Sequence, residues 1–357
     1  MLINYNILFI IKREYLERRL DLVKTIIKFK QVVIVLALLF FILNFFLFSY
    51  GQKLLGPRLE DNGVENRIVE IKSGYSLNRI VDKLYEEELI NSPLAFKLYL
   101  KLKGKSTNLQ AGYYQLNPTM STIEIIDRLI KGENAYYRVT IPEGATVEEV
   151  SSIFHMRGLD RERFLEVAKN IDMNFLENRE DLYYNAEGFL FPDTYKIPYG
   201  SSEEDIIRIM LREFQKKIRD LEEGIEESEF SLHQIITIAS MIEGEARVKE
   251  EGPKIASVIY NRLDRGMRLQ LDATVQYALP QRESRLLYRH LEAESLYNTY
   301  RRDGLPPGPI NNPGIDSIKS TLNPVETDYL FYVARGDGGH IFTRTYQEHL
   351  EVQRGLR

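Results

Sequence analysis

The sequence predicts an α+β protein carried on a single N-terminal membrane helix. Three observations predict it. One apolar run stands near the N-terminus; a strand–turn–helix pattern recurs seventy residues apart; and strands and helices elsewhere follow one another without regular alternation. With 357 residues the chain is long enough for more than one domain.

The apolar run is VVIVLALLFFILNFFLF, Val32 to Phe48, with Asn44 as its one polar residue. It is at the short end of what crosses a hydrocarbon core of roughly 30 Å. Ser49 and Tyr50 extend it into the interface, so the span is placed at 32–50. Lys12, Arg13, Arg18, Arg19, Lys24, Lys28 and Lys30 precede it. That excess of cations keeps residues 1–31 in the cytoplasm and puts everything after the span outside. No small-residue cleavage pattern follows Phe48, which favours a retained single-pass anchor over a signal peptide. The protein is therefore expected in the plasma membrane.

Residues 51–66 read as a polar linker. Then Val69-Glu-Ile71-Lys-Ser-Gly74-Tyr-Ser76 is echoed by Val139-Thr-Ile141-Pro-Glu-Gly144-Ala-Thr146. Each copy reads as a short strand, a glycine turn, a Ser/Thr cap and an amphipathic helix. Neither copy buries its own face alone, so the two are expected to share a core. Between them lie a helix at 93–103, a strand at 112–116 and a helix at 121–130, opened by the capping box of Ser121 and Glu124. After the second copy, 160–170 and 202–221 have helical spacing, and 187–195 reads as a loop with a strand edge. The acidic stretch 222–229 reads as a solvated loop. The resulting divisions are 67–135, 136–230 and 231–357.

Ser231 and Gln234 form a further capping box, followed by a helix expected to run from Ile235 to Gly252. It is almost entirely apolar to Ile242 and then presents Glu243 and Glu245. A carboxylate at the edge of an apolar wall loses hydration, which disfavours its charged form and lets it hold a proton near neutrality. Periodicity does not choose between the two. The plain structural alternative is a helix reaching solvent, with Glu243 paired to Arg247 at i, i+4.

Composition narrows the chemistry. A net charge of −5, with no basic patch or aromatic RNP-like motif, argues against nucleic acid. The absence of cysteine excludes disulfides, thiolate metal sites and a cysteine nucleophile. The five histidines (His155, His233, His290, His340, His349) show no metal-binding pairing. No metal or cofactor is expected.

The stretches VTIPEG (139–144), EGFLFPDTY (187–195), ASMIEGEA (239–246), VIYNRL (258–263), MRLQLDATVQYAL (267–279) and YNTYRRDGLPPGPINNPG (297–314) closely resemble the YceG-like family of endolytic murein transglycosylases. The resemblance covers residues 30–357. It implies a LysM-like α/β module at 67–135 and a mixed α+β lytic transglycosylase catalytic domain at 231–357. It also implies that Glu243, the first glutamate of the A-S-x-x-E-x-E pattern, is catalytic. The lysine usual between the two glutamates is Gly244 here. The implied reaction cleaves the β-1,4 bond between N-acetylmuramic acid and N-acetylglucosamine in nascent strands, leaving 1,6-anhydro ends.

On that reading Gln270, Asp272, Thr274, Tyr297, Asn298 and Tyr300 bind substrate or support Glu243, and tyrosines supply the flat sugar-facing surfaces that tryptophan, absent here, would otherwise give. Glycan strands and the membrane are the implied partners, with association with peptidoglycan synthases. Asp272 as a second carboxylate would make the enzyme a hydrolase instead. The rival from another class is a non-catalytic glycan-binding scaffold.

Overall fold

The computed structural model describes residues 3–59, 65–104, 109–177 and 179–356. It divides into two compact units, Met1–Ala135 and Tyr136–Arg357.

The first unit opens with α1 (Ile3–Leu55), whose segment Ile27–Leu55 is long and apolar enough to cross a membrane. Helix continues past Tyr50 through Leu55, so the first five residues of the expected linker are helical. Gly56 and Pro57 then stop it, since proline restricts the residue before it and cannot continue the helix. Next come β1 (Arg67–Ile71), α2 (Leu77–Glu86), α3 (Pro93–Leu102), β2 (Gly112–Leu116) and α4 (Thr122–Lys131). Strands β1 and β2 pair antiparallel, Arg67 opposite Leu116 and Ile71 opposite Gly112. Alternation puts Val69, Ile71, Tyr114 and Leu116 on one face, where they pack with Ile80, Val81, Leu84, Phe96, Leu100, Ile125, Ile126 and Leu129. Leu89 belongs to this core although it follows α2. Glu88 takes φ 59° and the Leu89 N–H bonds back to the Leu84 carbonyl at 2.9 Å.

The second unit begins with β3 (Tyr136–Thr140), α5 (Val147–His155), α6 (Arg161–Asn170), β4 (Thr194–Pro198), α7 (Glu203–Arg219) and α8 (Glu222–Glu226). Strand β3 pairs antiparallel with β4. The two copies of the repeat therefore do not share a core: each strand finds its own antiparallel partner, and the apolar residues of each helix join a separate cluster. Helix α8 replaces part of the expected acidic loop because Leu221 and Ile225 pack on the core and pin it.

The rest is α9 (Leu232–Glu245), α10 (Gly252–Asp264), α11 (Asp272–Ala278), α12 (Ile315–Leu322), β5 (Phe331–Ala334), β6 (His340–Thr343) and α13 (Tyr346–Gly355). The capping box of Ser231 and Gln234 opens α9 as expected. Its residues from Ile235 to Ile242 are all buried. Ile235, Ile236 and Ala239 join the β3–β4 core, while Ile238, Met241 and Ile242 join a second cluster with Ile255, Ala256, Ile259, Leu269 and Ile310. An apolar surface all round is what a helix needs when both sides are covered. The helix ends at Glu245 rather than Gly252, because Ala246 and Val248 turn extended and a short turn at Lys249–Glu251 redirects the chain into α10.

Gly188 shows how tightly the 187–195 loop is set. Its φ is +87°, and a Cβ there would lie 2.5 Å from Pro309 and 2.9 Å from Ile236. Gly74 has a similar φ of +82° with nothing within 4 Å. Gly188→Ala should therefore cost about 3 kcal/mol, strain plus overpacking, and Gly74→Ala about 1 kcal/mol from backbone strain alone. Denaturant unfolding of the two variants checks the difference; equal losses would mean that the packing around Gly188 yields freely.

Candidate active site

The C-terminal end of α9 opens on a groove of about 1090 Å³. That exceeds the roughly 300–1,000 Å³ of pockets for small molecules and suits a longer ligand. Glu243, Gly244 and Glu245 form part of its wall, with Gly144, Asp272, Tyr183, Tyr277 and His340 around them.

Glu243 is half-buried. Its Oε2 accepts the Gly314 N–H at 3.0 Å and the Ser317 hydroxyl at 2.7 Å. Gly314 caps α12 and Ser317 lies in its first turn, so the carboxylate faces the positive end of that helix. Among the described residues Oε1 receives no hydrogen bond. It lies on the Gly144 side, where a Cβ would stand 3.4 Å from the Glu243 Cγ. The alternative ion pair with Arg247 does not form: the helix has ended before Arg247, and the carboxylate turns to α12 instead.

Glu245 differs. Its Oε1 accepts the Ala273 N–H at 3.1 Å and its Oε2 the Tyr332 hydroxyl at 3.2 Å, tying α9 to α11 and β5. Burial raises its pKa, and the charge of Asp272 adds to the rise against those two hydrogen bonds. The dehydration expected at this helix end is thus seen at Glu245. Between the glutamates, a Cβ on Gly244 would come within 2.7 Å of the Ala273 Cβ, so α11 sits close because no side chain intervenes.

The six residues expected to meet substrate are distributed unevenly. Asp272 lines the groove and accepts the Tyr300 hydroxyl at 2.7 Å. It opens α11, which buried Val275 fastens. Gln270, Thr274, Tyr297, Asn298 and Tyr300 are not in the groove lining. Gln270 is exposed at φ 53° and gives its backbone N–H to the Thr299 carbonyl. Thr274 and Asn298 are fully buried. Thr274 bonds the Leu271 carbonyl and the Thr299 hydroxyl, and Asn298 donates to the carbonyls of Leu291 and Ala293. Both satisfy the loops' own backbone instead of facing a ligand. Tyr297, also buried, stands behind Tyr183 and Tyr277 with ring centroids at 4.8 and 4.9 Å. Tyr300 stands behind the lining as the hydroxyl donor to Asp272. The tyrosine face on the groove is Tyr183, stacked on Tyr277 at 5.5 Å.

Glu187 was not among the expected residues. It is 2% exposed, and its carboxyl accepts the Val147 N–H at 3.0 Å, the Tyr277 hydroxyl at 3.1 Å and the Asn312 amide at 3.4 Å. Asn312 in turn clasps the Gly144–Ala145 turn through backbone bonds of 2.9 and 3.0 Å. One buried carboxyl thus links the start of α5, the tyrosine wall and the loop leading to Gly314. Its only sequence signal was its place in the EGFLFPDTY stretch. Burial pushes its pKa up to about 8, opposed by the Val147 and Tyr277 hydrogen bonds.

A groove of this volume, lined in part by tyrosine and with a carboxylate oxygen open beside a glycine, suits acid–base chemistry on a ligand larger than a small molecule. Residues 69–355 match the model of the YceG-like family. A protein of Bacillus subtilis (strain 168) named endolytic murein transglycosylase is 37% identical over 319 residues, covering 85% of this chain and 88% of that protein. A longer one of the same name from Streptococcus pneumoniae serotype 2 is 31% identical over 337 residues, covering 85% of this chain and 60% of its own length. The crystal structure of a YceG-like protein from Listeria monocytogenes superposes with a TM-score of 0.57 at 33% identity, covering 81% of this chain and all of that one. The chain belongs to the YceG-like family.

A carboxyl whose pKa rises from 4.5 to about 8 takes up a proton on folding. The native state then binds more protons than the unfolded chain between those values, and stability from this group falls as pH climbs through them. Glu187→Gln keeps the shape and cannot titrate. Melts between about pH 5 and about pH 9 should therefore show the variant gaining on wild type as pH rises. A constant Tm difference would mean that Glu187 stays ionised in the fold.

Proposed function

We propose that this chain is an endolytic peptidoglycan transglycosylase, held in the plasma membrane by α1 with its N-terminus in the cytoplasm and its second unit outside. It cleaves the β-1,4 bond between N-acetylmuramic acid and N-acetylglucosamine within glycan strands. The names of the relatives support the reaction class. The observation that carries the choice of residue is the asymmetry between the two glutamates. Glu245 has both oxygens engaged by the protein, whereas Glu243 has one oxygen anchored and the other without a hydrogen bond among the described residues.

On this reading Glu243 protonates the leaving glycosidic oxygen. The resulting carboxylate then takes the proton of the C6 hydroxyl of the same muramic residue as that oxygen attacks C1. A 1,6-anhydro ring closes and no water enters. One acid–base residue suffices because the nucleophile is already part of the substrate, and intramolecular attack has a high effective concentration. Gly314 and Ser317 hold the carboxylate in place between its two roles. Tyr183, backed by Tyr277, offers a stacking face for a sugar ring. The LysM-like reading of 67–135 belongs to the same proposal, supported by that segment's own core.

Glu243→Gln should fold normally and lose about 10³-fold in strand cleavage, in the range general acid–base catalysis contributes. Ser317→Ala should lose about tenfold, the worth of one hydrogen bond to a charged group. Cleavage by Glu243→Gln at the wild-type rate would move the chemistry to another residue, whereas no cleavage by wild type or variant would leave the scaffold reading standing. A second reading is hydrolysis, favoured by Asp272 lining the same groove. Mass analysis of digested glycan separates the two: 1,6-anhydro ends are expected, also from Asp272→Asn, while reducing ends would overturn the transglycosylase.

A further inference from the structure

Helix α3 has two apolar faces. Phe96 and Leu100 are fully buried in the core of the first unit. Leu94, Leu98 and Leu102 are 76%, 54% and 78% exposed. At roughly 100° per residue the three leucines form a continuous stripe on the side opposite Phe96 and Leu100. Lys97 and Lys101 run along its edge. A helix that lies against water presents polar residues outward, and a leucine row in that place marks an interaction surface.

The neighbouring chain indicates what covers it. Asn91, just ahead of the Ser92 cap of α3, donates its side-chain amide to the carbonyls of Lys53, Gly56 and Pro57 at 3.2, 3.0 and 3.2 Å. Helix α3 therefore starts where α1 ends. The apolar run stops at Phe48, and seven more helical residues carry the chain about 10 Å further, into the headgroup zone beside the hydrocarbon.

We propose that α3 is an interfacial helix: its leucine stripe beds into the leaflet from which α1 emerges, and Lys97 and Lys101 meet anionic headgroups. Long lysine stems allow this, keeping the ammonium in the polar layer while the leucines sit deeper. The proposal rests on the reading of α1 as a membrane anchor. It gives the first unit a second hold on the bilayer, independent of the span itself.

The chain has no cysteine, so single probes can be placed at will. Full-length protein carrying Leu94→Cys, Leu98→Cys or Leu102→Cys, labelled with an environment-sensitive fluorophore, is reconstituted into vesicles with quencher-bearing lipids of known depth. Phe41→Cys in the span and Glu133→Cys on an exposed turn serve as references. Shallow quenchers should quench the three stripe labels several-fold more than the Glu133 label, and more strongly in anionic than in zwitterionic vesicles. Introducing Leu98→Glu should abolish quenching at 94 and 102 without changing the melting temperature. Quenching at Phe41 with none on the stripe overturns the interfacial helix and leaves the anchor intact. No quenching at Phe41 overturns the anchor, and the proposal with it. Stripe labels that report one another in proportion to protein density, and not the lipid, would make the occupant a second copy and overturn the proposal.

Discussion

The burial of α9 on both sides is the constraint on which the site depends. Two clusters grip it, one through Ile235, Ile236 and Ala239 and the other through Ile238, Met241 and Ile242. A helix held this way cannot rotate or slide without opening both cores, because interiors are close-packed. Its last turn is therefore delivered to the groove with little freedom. Ser240 adds a polar clamp, accepting the Ile310 N–H through its hydroxyl and the Asn311 amide through its carbonyl. The loop that ends at Gly314 is thus built onto the same helix whose glutamate it holds.

Three of the carboxyl groups in or behind this groove stand in three different environments. Glu243 is held at one oxygen by a helix N-terminus, Glu245 is bridged between a backbone amide and a tyrosine, and Glu187 is enclosed behind the wall. Placing like-charged groups so near one another is costly unless they differ in solvation. The arrangement meets that demand by enclosing Glu187 and Glu245, which burial drives toward the neutral form, and by leaving a free oxygen on Glu243.

Much of this was legible in the sequence wherever the interaction is local. The capping boxes of Ser121–Glu124 and Ser231–Gln234 lie within one turn and form as read. The apolar run, the helical spacings and the glutamate pair at the end of α9 were equally plain. What the sequence did not disclose depends on distant partners. Gly314 and Ser317 reach Glu243 across 71 and 74 residues, and no local pattern announces them. Thr274, Asn298 and Tyr297 were implied as ligand contacts by the resemblance, and sequence does not separate a side chain that faces a ligand from one that serves its own fold; here they bond backbone groups or pack against other rings. Glu187 shows the reverse, a carboxylate in an apolar-looking stretch that gathers three walls. The repeated strand–helix unit misled in its own way, since resemblance between two segments says nothing about whether they pack together.

Gly244 has a consequence for the calibre of the groove. With no side chain between the glutamates, Ala273 can close to where a Cβ on residue 244 would stand only 2.7 Å away. A Cβ at position 244 would push the following helix back, and with it the Asp272 carboxylate at its head. A single missing atom thus acts as a spacer gauge, and the bore of the groove is set at a position that has no side chain of its own.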